Sequence, residues 1–594
     1  MYPKYKDAPP MQSIEKAQQI LRQLGVCAET AVEQRMDGIF SSTLTDTEGK
    51  WSSCGKGTTE EFCLASAFGE AIEHLCNFTA YNMFLLSQEA AQYGGFEHYP
   101  DEKRISIDQL PTEAPVIFAD LRRSFYISEC YETTDENLCL LLKRFFKSDD
   151  LACIPFYSIK KQKTVYLPEA LLYNLCGSNG GGAGNTVQEA IGHGLDEIAE
   201  RYVKEQIYHR HLTPPEVPRE YVQKKCPELL DVIQSIERTG RYHISVKDCS
   251  LGKEYPVVAV IMTDKEQHAY LANFGAHPQF SIGLERCLTE MFQSYESNSA
   301  DMSRKRMNRW CDIDPLVIDG AKNWVSLLRD DVGFLPNSFF AGIPSWQFCE
   351  WPEYPDYSNI IGMNTQMRRF LSAAEDVYIR NNSYFDFSAF KVYIPGISTT
   401  ALPFSERHLH CLELTSSIAD WLPKIRTLPD AFLNDLMRNY FHPDMFMSGI
   451  AISNLKESLG YAMYAALLRY FSLQDDAVRV LSWQGTPECD CAVELLRLSN
   501  RIRDREQLLG LLRMFYSEDA VQFAACWLDE KPFAAIAEQY MTHRYHIKTK
   551  SYADDAQSYI DRLHIRLKEH MRSHPIDQNQ TGAVLTTLMQ CAER

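Results

Sequence analysis

The sequence predicts a mixed α/β (α+β) body over residues 1–400, followed by an all-helical domain over residues 401–594. Three observations predict it. Strand-like and helix-like segments interleave as far as Ile397. A glycine-bearing turn that feeds a helix with a Glu-x-x-Glu pair occurs twice at one fixed offset. Beyond Pro403 the chain continues as amphipathic helical segments joined by short polar turns.

The elements follow in chain order. Helical periodicity runs from about Ile14 to Leu24, and short extended segments and turns follow to Lys50. Thr58 and Thr59 cap a long helix, Glu60 and Glu61 suit its N-terminal dipole, and Leu64, Phe68, Ile72 and Leu75 form its apolar stripe. From Ala114 to Val165 strands alternate with loops around one helix at Asn137–Lys147. A second long helix begins near Thr186, after the turn SNGGGAGN, and runs to about Ile207. Pro256–Met262 and His268–Ala276 read as strands, and a third helix spans about Ile282–Gln293. The domain boundary is expected at Pro395–Pro403. The segments Met447–Phe471, Val493–Phe515 and Ala520–Met541 then read as a helix-hairpin array of the tetratricopeptide kind.

Composition bounds the function. The 594 residues carry 60 Lys+Arg against 79 Asp+Glu, a formal charge of −19, with 45% apolar and 23% charged residues. Such an acidic balance argues against a broad nucleic-acid or anionic-membrane surface, since both select clustered Lys and Arg. It leaves room for an anionic ligand, because carboxylates hold the Mg²⁺ that bridges to phosphates. The 18 cysteines are scattered, and Cys489 and Cys491, separated by Asp490 alone, have a poor bite for zinc. The N-terminus has no apolar signal core, and no run reaches the roughly 18 apolar residues of a membrane span. A reduced, soluble, cytoplasmic chain is expected.

The repeat carries the chemistry. Gly55–Leu75 (GKGTTEEFCLASAFGEAIEHL) aligns with Gly182–Tyr202 (GAGNTVQEAIGHGLDEIAERY) at a constant offset of 127. Gly57 meets Gly184, Thr59 meets Thr186, Glu70 meets Glu197 and Glu73 meets Glu200. LERCLTEMFQ, with Glu290 and Gln293, is a weaker third copy. Residues three apart share a helix face, and like charges there repel. Glu189 and His193 extend the second stripe toward its N-terminus, and Ser66 extends the first. Such pairs need either open solvent or a counter-cation, which Mg²⁺ with phosphate oxygens would supply. A single Glu-x-x-Glu is usually a solvated helix face; from spacing alone, solvated face and lined cavity both stand.

Ordinary nucleotide motifs are absent. GKG at Gly55–Gly57 is not a Walker loop, and Gly180–Gly184 lacks the dinucleotide spacing. Neither a zinc HExxH motif nor a GxSxG elbow occurs. The turn before Thr186 does suit an anion, because glycine amides and a helix N-terminus favour one. His408 and His410 beside Cys411 read as surface histidines, and Tyr378–Tyr393 as packed strand and loop rather than a base-stacking platform.

These segments resemble the YcaO family. GKGTT…LASAFGEAIEHL, SNGGGAGNT…EAIGHGLDEIAERYV and NFGAHPQFSIGLERCLTEMFQ are similar to its three ATP-binding segments. KDAPPMQSI, Val392–Ser398 and the helical extension resemble its stand-alone type. The resemblance implies an unusual ATP-binding fold. It also implies ATP-dependent activation of peptide amide oxygens, giving azolines, thioamides or amidines. By motif position it implies that Glu70, Glu73, Glu197, Glu200 and Glu290 hold Mg²⁺. Lys56 and Arg201 would contact phosphates, and Asn185 and Gln293 the nucleotide. Lys6 and Ser13, from the N-terminal segment 1–50, would reach the same nucleotide, with Gly182 and Glu189 completing the set.

Three positions depart from the family pattern. His74 stands where Arg is usual, Tyr295 where Arg commonly follows Gln293, and Gly182 where the stand-alone type has Ser. The resemblance further implies a homodimer and an accessory role to the radical enzyme RimO, which methylthiolates an aspartate of a small-subunit ribosomal protein. The ending LTTLMQCAER, without the proline-rich tail of azoline-forming members, agrees with that expectation. Two alternatives are ATP-dependent backbone-amide modification by this chain itself and a non-catalytic, ATP-bound docking platform.

Overall fold

The computed structural model describes residues 6–48, 51–77, 88–129, 131–238, 240–293, 308–309, 327, 334–340, 342–354, 356–400, 406, 409, 478, 481, 487–528 and 551–591. Helix α1 (Pro10–Gln23) starts on a proline and buries Ile14, Ala17, Ile20 and Leu21, the stripe its periodicity predicts. Strands β1 (Ala28–Met36), β2 (Ile39–Asp46) and β3 (Ser52–Gly57) then form a three-stranded antiparallel sheet in that order. Helix α2 (Glu60–Cys76) follows directly, with the Thr59 hydroxyl accepting the Phe62 amide at 3.3 Å as its cap.

A six-stranded antiparallel sheet runs in the order β4 (Lys103–Ser106), β5 (Asp150–Ser158), β12 (Tyr378–Asn381), β13 (Ser388–Tyr393), β7 (Gly181–Gly184), with β6 (Lys163–Pro168) paired to β5. The third sheet has the order β11 (Asn308–Arg309), β10 (Ala269–Ala276), β9 (Val257–Asp264), β8 (Tyr242–Asp248). Between β4 and β5 the chain forms helices α3 (Pro115–Glu129) and α4 (Asp135–Phe146). The strands expected from Ala114 are therefore corrected to a helix: Ile117, Leu121 and Phe125 are all buried, a spacing of four that a strand would split between its faces. Tyr378 and Tyr393 are each 1% exposed, as expected of packed strand.

After helix α5 (Glu169–Cys176) and β7 comes α6 (Val187–His209), the structural axis of the body. Its Ile191, Leu195, Ile198, Val203 and Ile207 are completely buried. They share one core with Ala259 and Phe274 from β9 and β10 and with Phe390 and Val392 from β13. Apolar on both sides toward two sheets, the helix has one polar stripe left, the one with Glu189, His193, Glu197 and Glu200. Helix α7 (Pro227–Glu237) covers the third sheet through Leu229, Leu230, Ile233 and Ile236. Helix α8 (Phe280–Glu290) follows β10, and α9 (Asn359–Ala373) precedes β12.

The chain divides into two compact units, Met1–Pro403 with Gln557–Arg594, and Phe404–Ala556. The described helices of the second are α10 (Pro487–Ser499), α11 (Arg505–Leu512) and α12 (Glu518–Ala525). Cys489 and Cys491 are buried free thiols on α10. Helices α13 (Ser551–Ser573) and α14 (Gln578–Cys591) end the chain. Residues 557–594, expected within one helical domain with 401–556, instead pack with the first unit. There Gln578 exchanges two hydrogen bonds with the backbone of Asn381 on β12, at 2.9 and 3.1 Å. Tyr295, His408, His410, Cys411 and Met447–Phe471 lie outside the described residues, as does the end of Ala520–Met541. Among the described residues no helix is long and apolar enough to cross a membrane.

Candidate nucleotide and metal site

Three strand–turn–helix units build the site, and glycine permits each. A Cβ on Gly55 of β3 would lie 2.1 Å from the Cys63 carbonyl and 2.6 Å from the Ala67 amide of α2. One on Gly182 of β7 would lie 2.1 Å from the Ala190 carbonyl and 3.0 Å from the Gly194 amide of α6. One on Gly275 of β10 would lie 2.5 Å from the Gly283 carbonyl and 2.9 Å from Cys287 Sγ of α8. The first two sets are related by the offset of 127 and the last two by a common offset of 93. The repeat is thus three-dimensional, and its third copy includes β10 as well as the helix read from LERCLTEMFQ. It places Glu70, Glu197 and Glu290 at equivalent positions, one turn ahead of Glu73, Glu200 and Gln293.

The carboxylates meet across these units. Burial, with the added charge of Glu197, lifts Glu70 to about 7 against the pull of Lys56 and the Cys54 amide. Burial, then Glu197 and Glu70, lifts Glu73 to about 8. The Glu70 and Glu73 carboxyls of α2 therefore lie buried within the field of Glu197 on α6 rather than on an open solvated face. Glu197 accepts from the Gly180 amide at 3.0 Å and from Arg201 at 2.9 Å. Lys56 of β3 pairs with Glu290 of the third unit. Gln293 donates to the Cys54 carbonyl at 3.0 Å, while its own Oε1 is buried without a hydrogen-bond partner. The charge of Glu200 acts on Cys287 of α8 and on Asp196, which burial raises to about 7.

The N-terminal segment closes on the second unit. Lys6 Nζ lies 3.0 Å from Glu189 Oε1, and the Asp7 amide donates to Oε2 at 3.3 Å. Ser13 donates to Asn185 Oδ1 at 2.8 Å, and Asn185 Nδ2 donates to Glu189 at 3.2 Å. Burial would raise Glu189, but Lys6 and these donors outweigh it and hold the carboxyl below its ordinary value. Lys6, Ser13, Asn185 and Glu189 thus form one polar group at the start of α6. His193, one turn further on, lies 3.7 Å from Glu73 Oε2. Burial and the charges of Arg286, Lys6 and Lys56 lower its pKa well below the usual value, so the ring is neutral there.

His74 supplies no cation either, because burial lowers its pKa. Two basic residues that sequence reasoning missed do act on the cluster. Arg286 of α8 lowers the pKa of both Glu73 and Asp196. It occupies the repeat position of Ser66 and His193, so extending the third copy by one turn would have found it. Lys391 of β13 also lowers Glu73; no local motif marks it.

The sequence profile of a family described as YcaO cyclodehydratase, ATP- and Mg²⁺-binding, matches residues 54–398, which include all three units. The chain belongs to the YcaO family. An uncharacterized protein of Haemophilus influenzae is 30% identical over 397 residues, 66% of this chain and 65% of its own length. The ribosomal protein S12 methylthiotransferase accessory factor YcaO of Escherichia coli is 30% identical over 400 residues, again 66% and 65%. The chain thus spans 65% of the length of each of these relatives. Among solved structures, a heterocyclase in complex with substrate and cofactor is 18% identical, covering 68% of this chain and 54% of that one at a TM-score of 0.45. A YcaO from Methanopyrus kandleri bound with AMPPCP and Mg²⁺ is 17% identical, covering 67% and 94% at a TM-score of 0.40.

The YcaO domain of this chain has a donor set that fits Mg²⁺ and a polyphosphate. Its inward groups are carboxylates, the hard oxygen ligands Mg²⁺ takes, and they repel one another when ionised. Gln293 Oε1 offers a buried acceptor still unused. Among the described residues no three His, Cys, Asp or Glu side chains enclose a metal position by themselves. The reason is visible in the pairings: Glu290 is turned to Lys56, and Glu197 to Arg201 and the Gly180 amide. Phosphate oxygens would have to share in the coordination, as is usual for Mg²⁺ with nucleotides.

Proposed function

We propose that this chain binds ATP with Mg²⁺ at the three-unit site and serves as an accessory factor in RimO-catalysed methylthiolation of a small-subunit ribosomal protein. The observation that carries the nucleotide reading is the pair Glu70 and Glu73 of the first repeat unit, both raised by burial and by the charge of Glu197 from the second. The similarity to the accessory factor of Escherichia coli supports the role. We further infer a cytoplasmic homodimer.

In this reading Glu70, Glu73, Glu197, Glu200 and Glu290 hold the metal. When bound, Mg²⁺ neutralises phosphate charge and fixes the phosphate chain. Lys56 and Arg201, now paired with Glu290 and Glu197, would be the residues to contact the phosphates, and those two carboxylates would then be free to join the metal's ligands. Gln293, Asn185, Ser13 and Lys6 orient the nucleotide by hydrogen bonds, and the close approach at Gly182 keeps the turn's amides near it. Glu197→Ala or Glu200→Ala should each lose ATP affinity in titration calorimetry. Unchanged binding in both would sink the site assignment.

A second reading is favoured by the family's description as a cyclodehydratase: ATP-dependent modification of a peptide backbone amide by this chain itself. ATP turnover separates the two. Turnover that rises with a peptide substrate alone supports the second. A rise only in the presence of the methylthiolating enzyme and its ribosomal target supports the first.

A further inference from the structure

Lys391 stands directly opposite Gly181 in the antiparallel pairing of β13 with β7. Side chains of directly opposed residues project on the same face of a sheet. On that face, a Cβ at Gly181 would lie 3.0 Å from Glu73 Oε1 and 3.3 Å from Asn77 Nδ2. The missing side chain at Gly181 therefore leaves room for the Glu73 carboxyl on the face from which Lys391 projects. Lys391 Nζ donates to the Gly177 carbonyl at 2.7 Å, which ties the ammonium down beside the glycine turn. Burial lowers the pKa of this ammonium, and Cys176, Glu197, Glu169 and Glu73 oppose that lowering, Glu197 and Glu73 being carboxylates of two different repeat units. Lys391 also lines a cavity of about 20 Å³ with Asn77, Glu169 and Asn382. Two acceptors of that cavity, Glu169 Oε2 and Asn382 Oδ1, are buried without a hydrogen-bond partner. These acceptors share the cavity with two basic side chains, Lys391 and Arg380, and Arg380 is paired with Asp101.

We propose that Lys391 is a built-in counter-cation of the carboxylate cluster, a positioning residue that screens Glu73 and Glu197 and competes with a divalent cation for them. The inference rests on reading that cluster as the nucleotide and metal site. With the ammonium present the carboxylates can stand together before metal arrives; when metal binds, part of its attraction is already neutralised. Removing the charge should therefore tighten divalent-cation binding, the opposite of what loss of a merely structural residue would do.

The test is Mn²⁺ binding to the full-length, nucleotide-free protein, followed by electron paramagnetic resonance. Lys391→Gln keeps a donor for the Gly177 carbonyl and removes the charge; Lys391→Arg keeps the charge. Lys391→Gln should bind Mn²⁺ at least about tenfold more tightly than wild type, and Lys391→Arg should match wild type. A folded Lys391→Gln with unchanged or weaker Mn²⁺ affinity overturns the proposal. Should Lys391→Gln unfold, added Mn²⁺ restores its melting transition if the charge was screening repulsion, and failure to restore it overturns the proposal. Glu197→Ala, assayed for ATP in parallel, keeps the two claims apart. Wild-type ATP binding there and in Glu200→Ala removes the site reading and this inference with it. Lost ATP binding with unaltered Mn²⁺ affinity in Lys391→Gln removes only the role of Lys391.

Discussion

Glu197 on α6 raises the pKa of Glu73 on α2, so that a carboxylate of one copy of the repeat acts on a carboxyl of another. Each copy alone would be an ordinary acidic helix face. Brought together by the close glycine contacts beneath them, they become a site that resists full ionisation until a cation arrives.

The first prediction concerns pH. Burial, Glu197 and Glu70 set Glu73 at about 8, against an ordinary value of 4.5. Between these values the folded protein holds a proton that the unfolded chain releases, so this contribution to stability is present at low pH and is lost as pH rises through about 8. In EDTA, the melting temperature should fall between about pH 5 and 8 more steeply for wild type than for Glu73→Gln. Mg²⁺ should remove that difference, because metal binds the ionised form. Differential scanning fluorimetry across the pH range checks both statements.

Gly182 sets the spacing of β7 and α6. The atom a Cβ would meet is the Ala190 backbone carbonyl at 2.1 Å, which no rotamer can clear. Gly182→Ser, the residue of the stand-alone type, should cost about 1–3 kcal/mol here as overpacking. Gly69→Ala is the control: it lies within α2 with nothing within 4 Å, and it should stabilise by about 0.5–1 kcal/mol. Urea denaturation measures both.

Arg286 should matter to ATP although the two-copy repeat does not name it. Its charge reaches Glu73 and Asp196, and it projects from the same stripe position as His193. Arg286→Ala should weaken ATP by about 10- to 100-fold, the range of one charge-assisted hydrogen bond. Arg286→Lys should recover part of that loss in calorimetry.

Lys6 should act more weakly. Its side chain is 40% exposed, so salt screens its pairing with Glu189. Lys6→Met should reduce ATP affinity several-fold at low ionic strength and by less at about 0.5 M salt, a dependence that titrations at two salt concentrations resolve.

The residues that were legible in sequence are those whose role is local. Of Thr58 and Thr59, Thr59 caps its helix, the second helix begins at Thr186 as read, with Thr186 its cap, and Glu70 and Glu197 stand beside Phe68, Ile72, Leu195 and Ile198, which pull the flanking faces into the core. The N-terminal group of Lys6 and Ser13 follows from the resemblance to the family, since nothing in their own neighbourhood points to α6. Lys391 was not legible at all. Its meaning comes from strand pairing with Gly181 and from the gap that glycine leaves, both long-range facts. The helix Pro115–Glu129 was misread because its apolar run is dense enough to suit strand as well as helix. Residues 557–594 were grouped with the helical segment because helical periodicity does not reveal which surface a helix packs on.

The central claim is that three repeat units address a single nucleotide. A crystal structure of the full-length protein with a non-hydrolysable ATP analogue and Mg²⁺ tests it most directly. The account predicts Mg²⁺ bridging one triphosphate to carboxylates of α2, α6 and α8, with Lys56 and Arg201 turned from Glu290 and Glu197 to the phosphates. A nucleotide held by one of these helices alone, or bound elsewhere with the Lys56–Glu290 and Arg201–Glu197 pairs intact, would contradict it.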